Sequence, residues 1–565
     1  MSVVAAIAAL APGAAHSEIL LLIDHDDSIH RLAPAQIALV KQGAGIGAGL
    51  SVALVLLLSV FRARVAATLQ VVIDDAKRVF AETAGAVNLR EPSSRRILLL
   101  ILVIGFAVRL SVLDRPMGFD EADTFDYFAS RNYFSLLTDY TAPNNHILHT
   151  VFVRASYLLF GDSPSALRLP ALLAGLAVMP LTFIAGCRLL GQQVAYLATA
   201  LTAVHPALIH YSVDARGYSA VAAFTLVVFL AAASMRQRRS IFSWLLFVTA
   251  GVLGMFTIPA MLYSLAAVSV WVLWSAPPPR RPRLAVEIGL SALSIAAASI
   301  VLYAPAAART GIEAIVANRY VVPVARDDML AKAAREGPKL VELWTRHVAP
   351  PVSVLLLLFW VLGLRRREGR MLALATVLAP LLLMLVHQTI PYARVFLFAA
   401  PIACLVVAAG IRVIPLLNVR GLALGLATLL GGGYAIGSIC LPSEGERLGV
   451  DQMRVAKELL LQAGPNTGVY AALPLSEPIR YTFLTNGRPR RQVIAPDVVD
   501  GSLPSPSGWS RLLITRAKRE FAATQPGGWI SFNDPVFVGF SAPVQIMETE
   551  YLEVFRMSRN STLPR

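Results

Sequence analysis

Two carboxylates stand side by side, Asp120 and Glu121, in the stretch RLSVLDRPMGFDEADTFDYF (109–128), directly after an apolar run has ended. A carboxylate at such a point can take a proton from a nucleophile, hold a metal ion, or sit in water. Three other stretches carry groups of comparable capability. NNHILH (144–149) brings Asn145 and His146, which can contact a substrate or a metal. YSVDARGYSAVAAF (211–224) brings Asp214, Arg216 and Tyr218, and HQTIPYARVFLFAAP (387–401) brings Arg394. Ionisable residues at the mouth of an apolar helix are functional candidates by default, because they are costly there. The planar guanidinium fork of arginine suits bidentate phosphate recognition, against the plainer reading that Arg394 snorkels to the interface. Asp123 and Asp126 are expected in water, since acidic side chains are seldom buried. Arg168 is expected to anchor the start of a span at the headgroups. His205 and His210 are expected to be structural.

The elements that must position these groups are membrane spans. The chain has 565 residues, of which 56% are hydrophobic and only 15% charged. Soluble domains carry about 25% charged residues. The apolar residues fall in blocks close to the roughly 20-residue span length, near 37–60, 97–113, 166–188, 193–210, 217–234, 241–257, 259–275, 284–304, 351–364, 371–389, 392–412 and 421–441. The fold class is therefore an all-α polytopic membrane protein of about 11–12 transmembrane helices with a large first loop. Residues 65–94 have helical spacing and mixed charge and read as a connector. After residue 441 the composition changes. DQMRVAKELLLQAG (451–464) reads as an amphipathic helix, and GVYAALP (468–474), RLLITR (511–516) and EYLEVFRM (550–557) read as short strands between Pro and Gly turns. The chain thus divides into 1–94, a helix and connector; 95–441, the helical bundle; and 442–565, a small α/β extramembrane domain.

The net charge of +15 does not imply nucleic acid, because the arginines are spread over short links. Arg95 and Arg96, Arg236 to Arg239, Arg280 to Arg283, and Arg365 to Arg370 all fall on one side of the expected spans. The positive-inside rule makes that side cytoplasmic. The loops 114–165 and 305–350 and the link 211–216 then lie together outside, and with them Asp120, Asp214, Arg216 and Arg394. Helix 146–160 is too short and polar to span and is expected at the interface. Cys187, Cys404 and Cys440 form no pair pattern and read as small buried hydrophobes. Residues 1–15 are apolar without a basic leader, so a cleaved signal peptide is not expected.

The ordered stretches FDEADTF (119–125), NNHILHTVFVRASYLLFGDSPSALRLPALLAG (144–175), YSVDARGYSAVAAF (211–224) and YARVFLFAAPIACL (392–405) resemble the GT-C integral-membrane glycosyltransferases. The likeness is to the bacterial branch of protein O-mannosyltransferases and lipid A aminoarabinose transferases, over roughly 95–440. The resemblance implies a GT-C-like bundle and a polyprenyl-phosphate sugar donor. It implies transfer to a lipid, glycan or protein acceptor on the outer face of a bacterial inner membrane, by inverting single displacement. It makes Asp120 the general base, with Glu121 its acidic neighbour. Asp214, Arg216 and Tyr218 match the acidic-x-Arg-x-Tyr element, and Arg394 matches the arginine that holds donor phosphate. Two departures stand out. Asp214 is one methylene shorter than the commoner Glu, and Ile147 replaces the Pro after His146. The leaving phosphate needs positive charge, from the arginines or from a divalent ion (magnesium or manganese) on Glu121, Asp214 and His146. A polytopic transporter or lipid flippase is the rival reading, and a membrane scaffold presenting 442–565 a third. No internal repeat of the kind transporters show is visible.

Overall fold

The computed structural model describes residues 59–318, 323–415, 418–440, 444–472, 475–495, 509–518 and 531–559 without 533 and 539, with 45, 49 and 52 upstream. The expected span near 37–60 and the segment 1–15 lie almost wholly outside the described residues.

Helices cover each expected span from 97 onward. In chain order they are α1 (Arg62–Val87), α2 (Pro92–Leu110), α3 (Phe119–Thr124), α4 (Tyr133–Thr138), α5 (Ile147–Phe160), α6 (Pro164–Leu189), α7 (Gln192–Val204), α8 (Pro206–Ser212), α9 (Tyr218–Gln237) and α10 (Ile241–Thr257). They continue with α11 (Met261–Ser275), α12 (Arg281–Thr310), α13 (Glu313–Val316), α14 (Arg326–Thr345), α15 (Pro350–Gly363), α16 (Arg367–His387), α17 (Ala399–Ile411) and α18 (Val419–Cys440). Among the described residues six helices are long and apolar enough to cross a membrane, and a seventh span results if α14 and α15 count as one. That is fewer than the eleven or twelve expected. The expected span 193–210 breaks between α7 and α8, where Pro206 cannot donate a backbone hydrogen bond. The segment before 351–364 turns through 101° between α14 and α15. Helices α5, α10 and α11 are apolar but shorter.

The architecture is that of a multi-pass membrane protein. One apolar core joins α2, α6, α7, α9 to α12 and α16 to α18, while Leu293, Ile300, Leu385 and Leu429 remain exposed on the outside. Exposed leucines on long apolar helices suit acyl chains. Small residues allow close crossings: a side chain at Gly363 would meet the Val406 carbonyl, and one at Gly410 the Phe359 carbonyl. The backbones of α15 and α17 therefore meet directly. Cys187 and Cys404 are buried as expected, whereas Cys440 at the end of α18 is exposed.

The C-terminal part has its own buried core. Helix α19 (Glu444–Gln462) leads into β1 (Thr467–Ala471), α20 (Ser476–Thr485), β2 (Val493–Ile494), β3 (Arg511–Ala517), β4 (Val544–Glu548) and β5 (Leu552–Ser558). The five strands form one sheet in the order β2-β1-β3-β5-β4. β1 is parallel to β2 and β3, and β5 is antiparallel to β3 and β4. The three strands expected from sequence are β1, β3 and β5. Helix α20 was not expected there, and it packs against the bundle's first loop.

Candidate active site

Helix α3 starts at Phe119, and the Glu121 carboxylate caps it by accepting the Gly118 N–H at 3.1 Å. Adjacent helical residues point about 100° apart, so Asp120 and Glu121 serve different surroundings. Glu121 turns inward. It accepts Nε of Arg168 at 2.8 Å, Nη2 of Arg168 at 2.7 Å, and the backbone N–H of Ala215 at 2.9 Å. Arg168 is wholly buried and also donates to the carbonyls of Leu113, Arg115 and Pro116. The headgroup anchor expected for Arg168 is therefore corrected: it is the buried counterion of Glu121. Burial alone would raise the Glu121 pKa, but Arg168 and the Ala215 N–H outweigh it and hold the carboxylate below its usual range. This pair ties the first loop, α6 and the link after α8 into one rigid frame.

Asp120 faces the other way and is 30% exposed. Its Oδ2 accepts from Nη1 of Arg216 and from Nη1 of Arg394, the latter at 3.0 Å. Residues 96 and 274 positions apart thus converge on one oxygen. Burial pushes the Asp120 pKa up, but Arg216, Arg394 and Asn144 together bring it below the ordinary value. Arg394 sits in the tight turn Ala393–Phe398 leading into α17. Its guanidinium lies 4.7 Å from the Tyr392 ring centroid. Arg216 lies 5.2 Å from the Tyr218 ring centroid, a cation–π arrangement that keeps the charge poorly hydrated.

Asn144 bridges the cluster. Its Oδ1 accepts from Arg216 Nη2 at 2.8 Å, and its Nδ2 donates to Asp123 Oδ2 at 2.7 Å and approaches Asp120 Oδ1 at 3.4 Å. Burial, followed by the neighbouring acids Asp120 and Asp126, raises Asp123 to about 6 against the pull of Asn144 and Arg216. Asn145, one residue on, is turned away. Its Nδ2 donates to the carbonyls of Leu136 and Asp139, so it fastens the loop.

His146 stands in a decisive position. Its Nδ1 accepts the Gly217 N–H at 2.9 Å, which places the ring proton on Nε2. Nε2 then faces Arg216 Nη2 at 3.4 Å. Both nitrogens are then donors, so this approach is a close contact and not a hydrogen bond. Burial and then Arg216 keep the imidazole neutral, far below its usual range. Gly217 is needed at this crossing, because a Cβ there would lie 2.5 Å from Thr257 Cγ2 and 3.3 Å from His149 Cβ. Tyr218 packs edge-on against His146 and Tyr211.

Asp214 is buried, and its Oδ1 has no hydrogen-bond partner. Burial and then Glu121 push its pKa to about 7. Among the described residues no three His, Cys, Asp or Glu side chains converge on a metal position. Glu121 is engaged by Arg168 and His146 Nδ1 by Gly217, so the expected set Glu121, Asp214 and His146 does not fit a metal as arranged.

Asp126 departs from the expectation of a solvated residue. Its side chain is 1% exposed and pairs with Arg480 at 3.4 Å and Arg490 at 3.0 Å. Both arginines come from the C-terminal part. Tyr481 packs edge-on against Phe125 and donates to the Asp162 carbonyl at 2.5 Å. Helix α20 is thereby wedged against the five-residue π-helical turn Phe125–Ala129 that follows α3. A lone charge inside the apolar stretch LRLPALLAG could have flagged Arg168. Nothing local announces the pairing of Asp126 with residues more than 350 positions away.

The bundle, the first loop and the terminal sheet together decide the fold comparison. The chain shares the fold of ArnT. It matches ArnT from Cupriavidus metallidurans in the apo state with a TM-score of 0.56, over 82% of this chain and 98% of that one, at 11% identity. It matches ArnT from the same organism bound to undecaprenyl phosphate with a TM-score of 0.53, over 81% and 97%, at 13% identity. The archaeal oligosaccharyltransferase AglB from Archaeoglobus fulgidus, in complex with an inhibitory peptide and a dolichol-phosphate, gives 0.45 over 76% and 70%, at 11% identity. No family model and no curated protein matches the sequence. The ArnT-like fold agrees with the GT-C architecture implied by the sequence motifs.

An apolar cavity of about 680 Å³ runs close to this cluster. Leu330, Leu340, Leu381, Leu385 and Phe396 line it, together with Ala393, the residue before Arg394. A second cavity of about 370 Å³ shares Leu340, Leu381 and Phe396 with it. Apolar space thus leads to the turn that carries a phosphate-capable arginine.

Proposed function

We propose that this protein is a glycosyltransferase that moves a sugar from a polyprenyl-phosphate donor to an acceptor hydroxyl at the outer face of a bacterial inner membrane. The observation that carries the reading is the convergence of Arg216 and Arg394 on one oxygen of Asp120, with His146 against Arg216, close to an apolar cavity that reaches Ala393. Donors around one small volume suit the free oxygens of the donor's phosphodiester and the charge that grows as it becomes a monoester. The adjoining apolar cavity suits the first isoprene units of its lipid. The ArnT fold, with one of its structures bound to undecaprenyl phosphate, supports the same assignment.

The chemistry follows from charge. As the anomeric carbon leaves the donor, negative charge grows on the phosphate oxygen. Preorganised arginines stabilise that charge at little reorganisation cost. Lipid phosphate needs no acid to leave, so a single carboxylate base for the acceptor hydroxyl completes the requirement. Asp120 holds the two arginines in register until donor arrives, and once they turn to the phosphate it serves as that base. The hexosyl or pentosyl class of the sugar, and the choice among lipid, glycan and protein acceptors, depend on surfaces beyond this cluster. A divalent ion is not required by the proposal, since two guanidiniums supply the charge.

The test is reconstitution of the full chain with a panel of polyprenyl-phosphate sugars. A glycosidic product and release of polyprenyl phosphate are expected. Flux of lipid or solute across proteoliposomes without any product would establish the transporter reading instead. Arg394→Ala is expected to weaken donor affinity about 10- to 100-fold, corresponding to the ~1.5–3 kcal/mol of a charged hydrogen bond. An unchanged donor titration would remove Arg394 from the phosphate site.

A further inference from the structure

We infer that the C-terminal part belongs to the active-site scaffold: Arg480 and Tyr481 of α20 are positioning residues that hold α3 in the pose from which Asp120 acts. The inference rests on the transferase reading, with Asp120 as its base, and gives the C-terminal part a place in it.

Helix α3 has only six residues. Helices shorter than about 12–15 residues are marginal by themselves, so its pose is set by what grips its two ends. The front end is fixed by the Glu121 cap and by Arg168. The back end runs without a break into the π-helical turn Phe125–Ala129. Such turns are rare, and in a helix a shift of one residue turns the side chains by about 100°. Beyond the turn, Arg154 donates to the Ala129 carbonyl at 3.1 Å. If the turn relaxed to α-helical pairing, α3 and Asp120 would take up the change.

Helix α20 grips three successive residues of that turn. The Phe125 ring stands edge-on to Tyr481 with centroids 5.6 Å apart, and to Tyr157 of α5 at 5.3 Å. Asp126 accepts from Arg480 at 3.4 Å and pairs with Arg490 at 3.0 Å. Among the described residues these two arginines are its only ion-pair partners, and both come from the C-terminal part. The Tyr127 hydroxyl accepts from Arg480 at 3.2 Å, and its ring centroid lies 4.1 Å from the Arg490 guanidinium. Arg480 is itself steadied by Glu477, whose two oxygens accept its Nη1 at 2.8 and 2.9 Å. The apolar contacts agree with the polar ones. Tyr481 packs in one core with Ala122 and Phe125, Leu167 of α6 and Ala215 of the link after α8, and not in the core of the sheet that follows it.

The path from this grip to the base is short. Thr124, at the end of α3, donates from Oγ1 to the Asp120 carbonyl at 2.8 Å and lies 3.3 Å from the Asn144 carbonyl. Arg216 and Arg394 are carried by the link after α8 and by the turn before α17, outside the segment that α20 grips. Loosening α20 should therefore move the base and leave the phosphate donors in place.

The experiment uses the full chain, a polyprenyl-phosphate sugar, and undecaprenyl phosphate as a binding probe. Arg480→Gln should lower kcat about 10- to 100-fold, since a misplacement of about 1 Å costs on that order. Its affinity for undecaprenyl phosphate should stay within about threefold of wild type, because an interaction made only in the transition state is lost from kcat and not from binding. Arg480→Lys should recover part of kcat, since it returns a positive charge to Asp126 and Glu477. Arg490→Gln, at a partly exposed position, should show the same split more weakly and carries the test if Arg480→Gln does not fold. Wild-type kcat in the folded variant would overturn the inference and leave the transferase reading intact. A loss of undecaprenyl phosphate affinity as large as the loss of kcat would overturn it too, because the whole site would then be distorted. A wild type without turnover would remove the transferase reading and this inference with it.

Discussion

Replacing Glu121 by Gln separates architecture from chemistry. The carboxylate accepts four hydrogen bonds: two from Arg168, one from Gly118 and one from Ala215. It is 3% exposed and its arginine is not exposed at all. Glutamine keeps one acceptor oxygen and turns an amide donor toward a guanidinium, so Arg168 loses its counterion inside the protein. Removing one partner of a buried pair costs about 3–5 kcal/mol, a large share of the roughly 5–15 kcal/mol that holds a domain folded. At ~2 °C per kcal/mol for large domains, the melting temperature in detergent should fall by about 6 °C or more. The depressed Glu121 pKa sets the sign with pH. The stabilisation is present above the ordinary Glu range of ~4.3 and is lost as pH falls through the lower folded value. Arg168→Lys should not substitute, because an ammonium cannot span two carboxylate oxygens and three carbonyls at once. Differential scanning fluorimetry beside turnover is the assay. A Glu121→Gln protein that melts like wild type yet has lost turnover would refute the structural role and place Glu121 in the reaction.

Gly217→Ala should destabilise by about 1–3 kcal/mol through overpacking against Thr257 and His149, and should lower turnover by shifting the Gly217 N–H that holds the His146 ring. An unchanged melting curve would show that the link after α8 has more room than its contacts imply. At the seam with the C-terminal part, burial raises Glu477 to about 7 despite Arg480. A raised acid favours the folded state below its ordinary pKa, and that stabilisation is lost as pH rises through about 7. The C-terminal part should therefore resist proteolysis better at pH 6 than at pH 8, and Glu477→Gln should flatten the difference. Identical digestion rates at both pH values would refute it.

How much of the site could be read in advance varies by residue. Arg216 and Arg394 were legible because a guanidinium at the mouth of an apolar run has few reasons to be there. The alternation of apolar blocks with arginine-bearing links was enough for the membrane class and for helices over the blocks from residue 97 onward. Where the blocks break was less legible. The kink at Pro206 has a local cause, but the 101° turn between α14 and α15 does not. The adjacent pair Asp120 and Glu121 looked like a unit in sequence. Helical geometry sent one to the arginines and the other to Arg168.

By itself the sequence determined the apolar periodicity, the helical blocks and the few ionisable residues beside them, because those depend on composition within about twenty residues. Only the tertiary structure decided which charge meets which. It put Arg216 and Arg394 on one oxygen of Asp120, Arg168 inside with Glu121, and Arg480 against Asp126. The physical reason is that an ion pair is stabilised by a partner a few ångströms away in space. That partner can stand hundreds of residues away along the chain, where no local pattern records it.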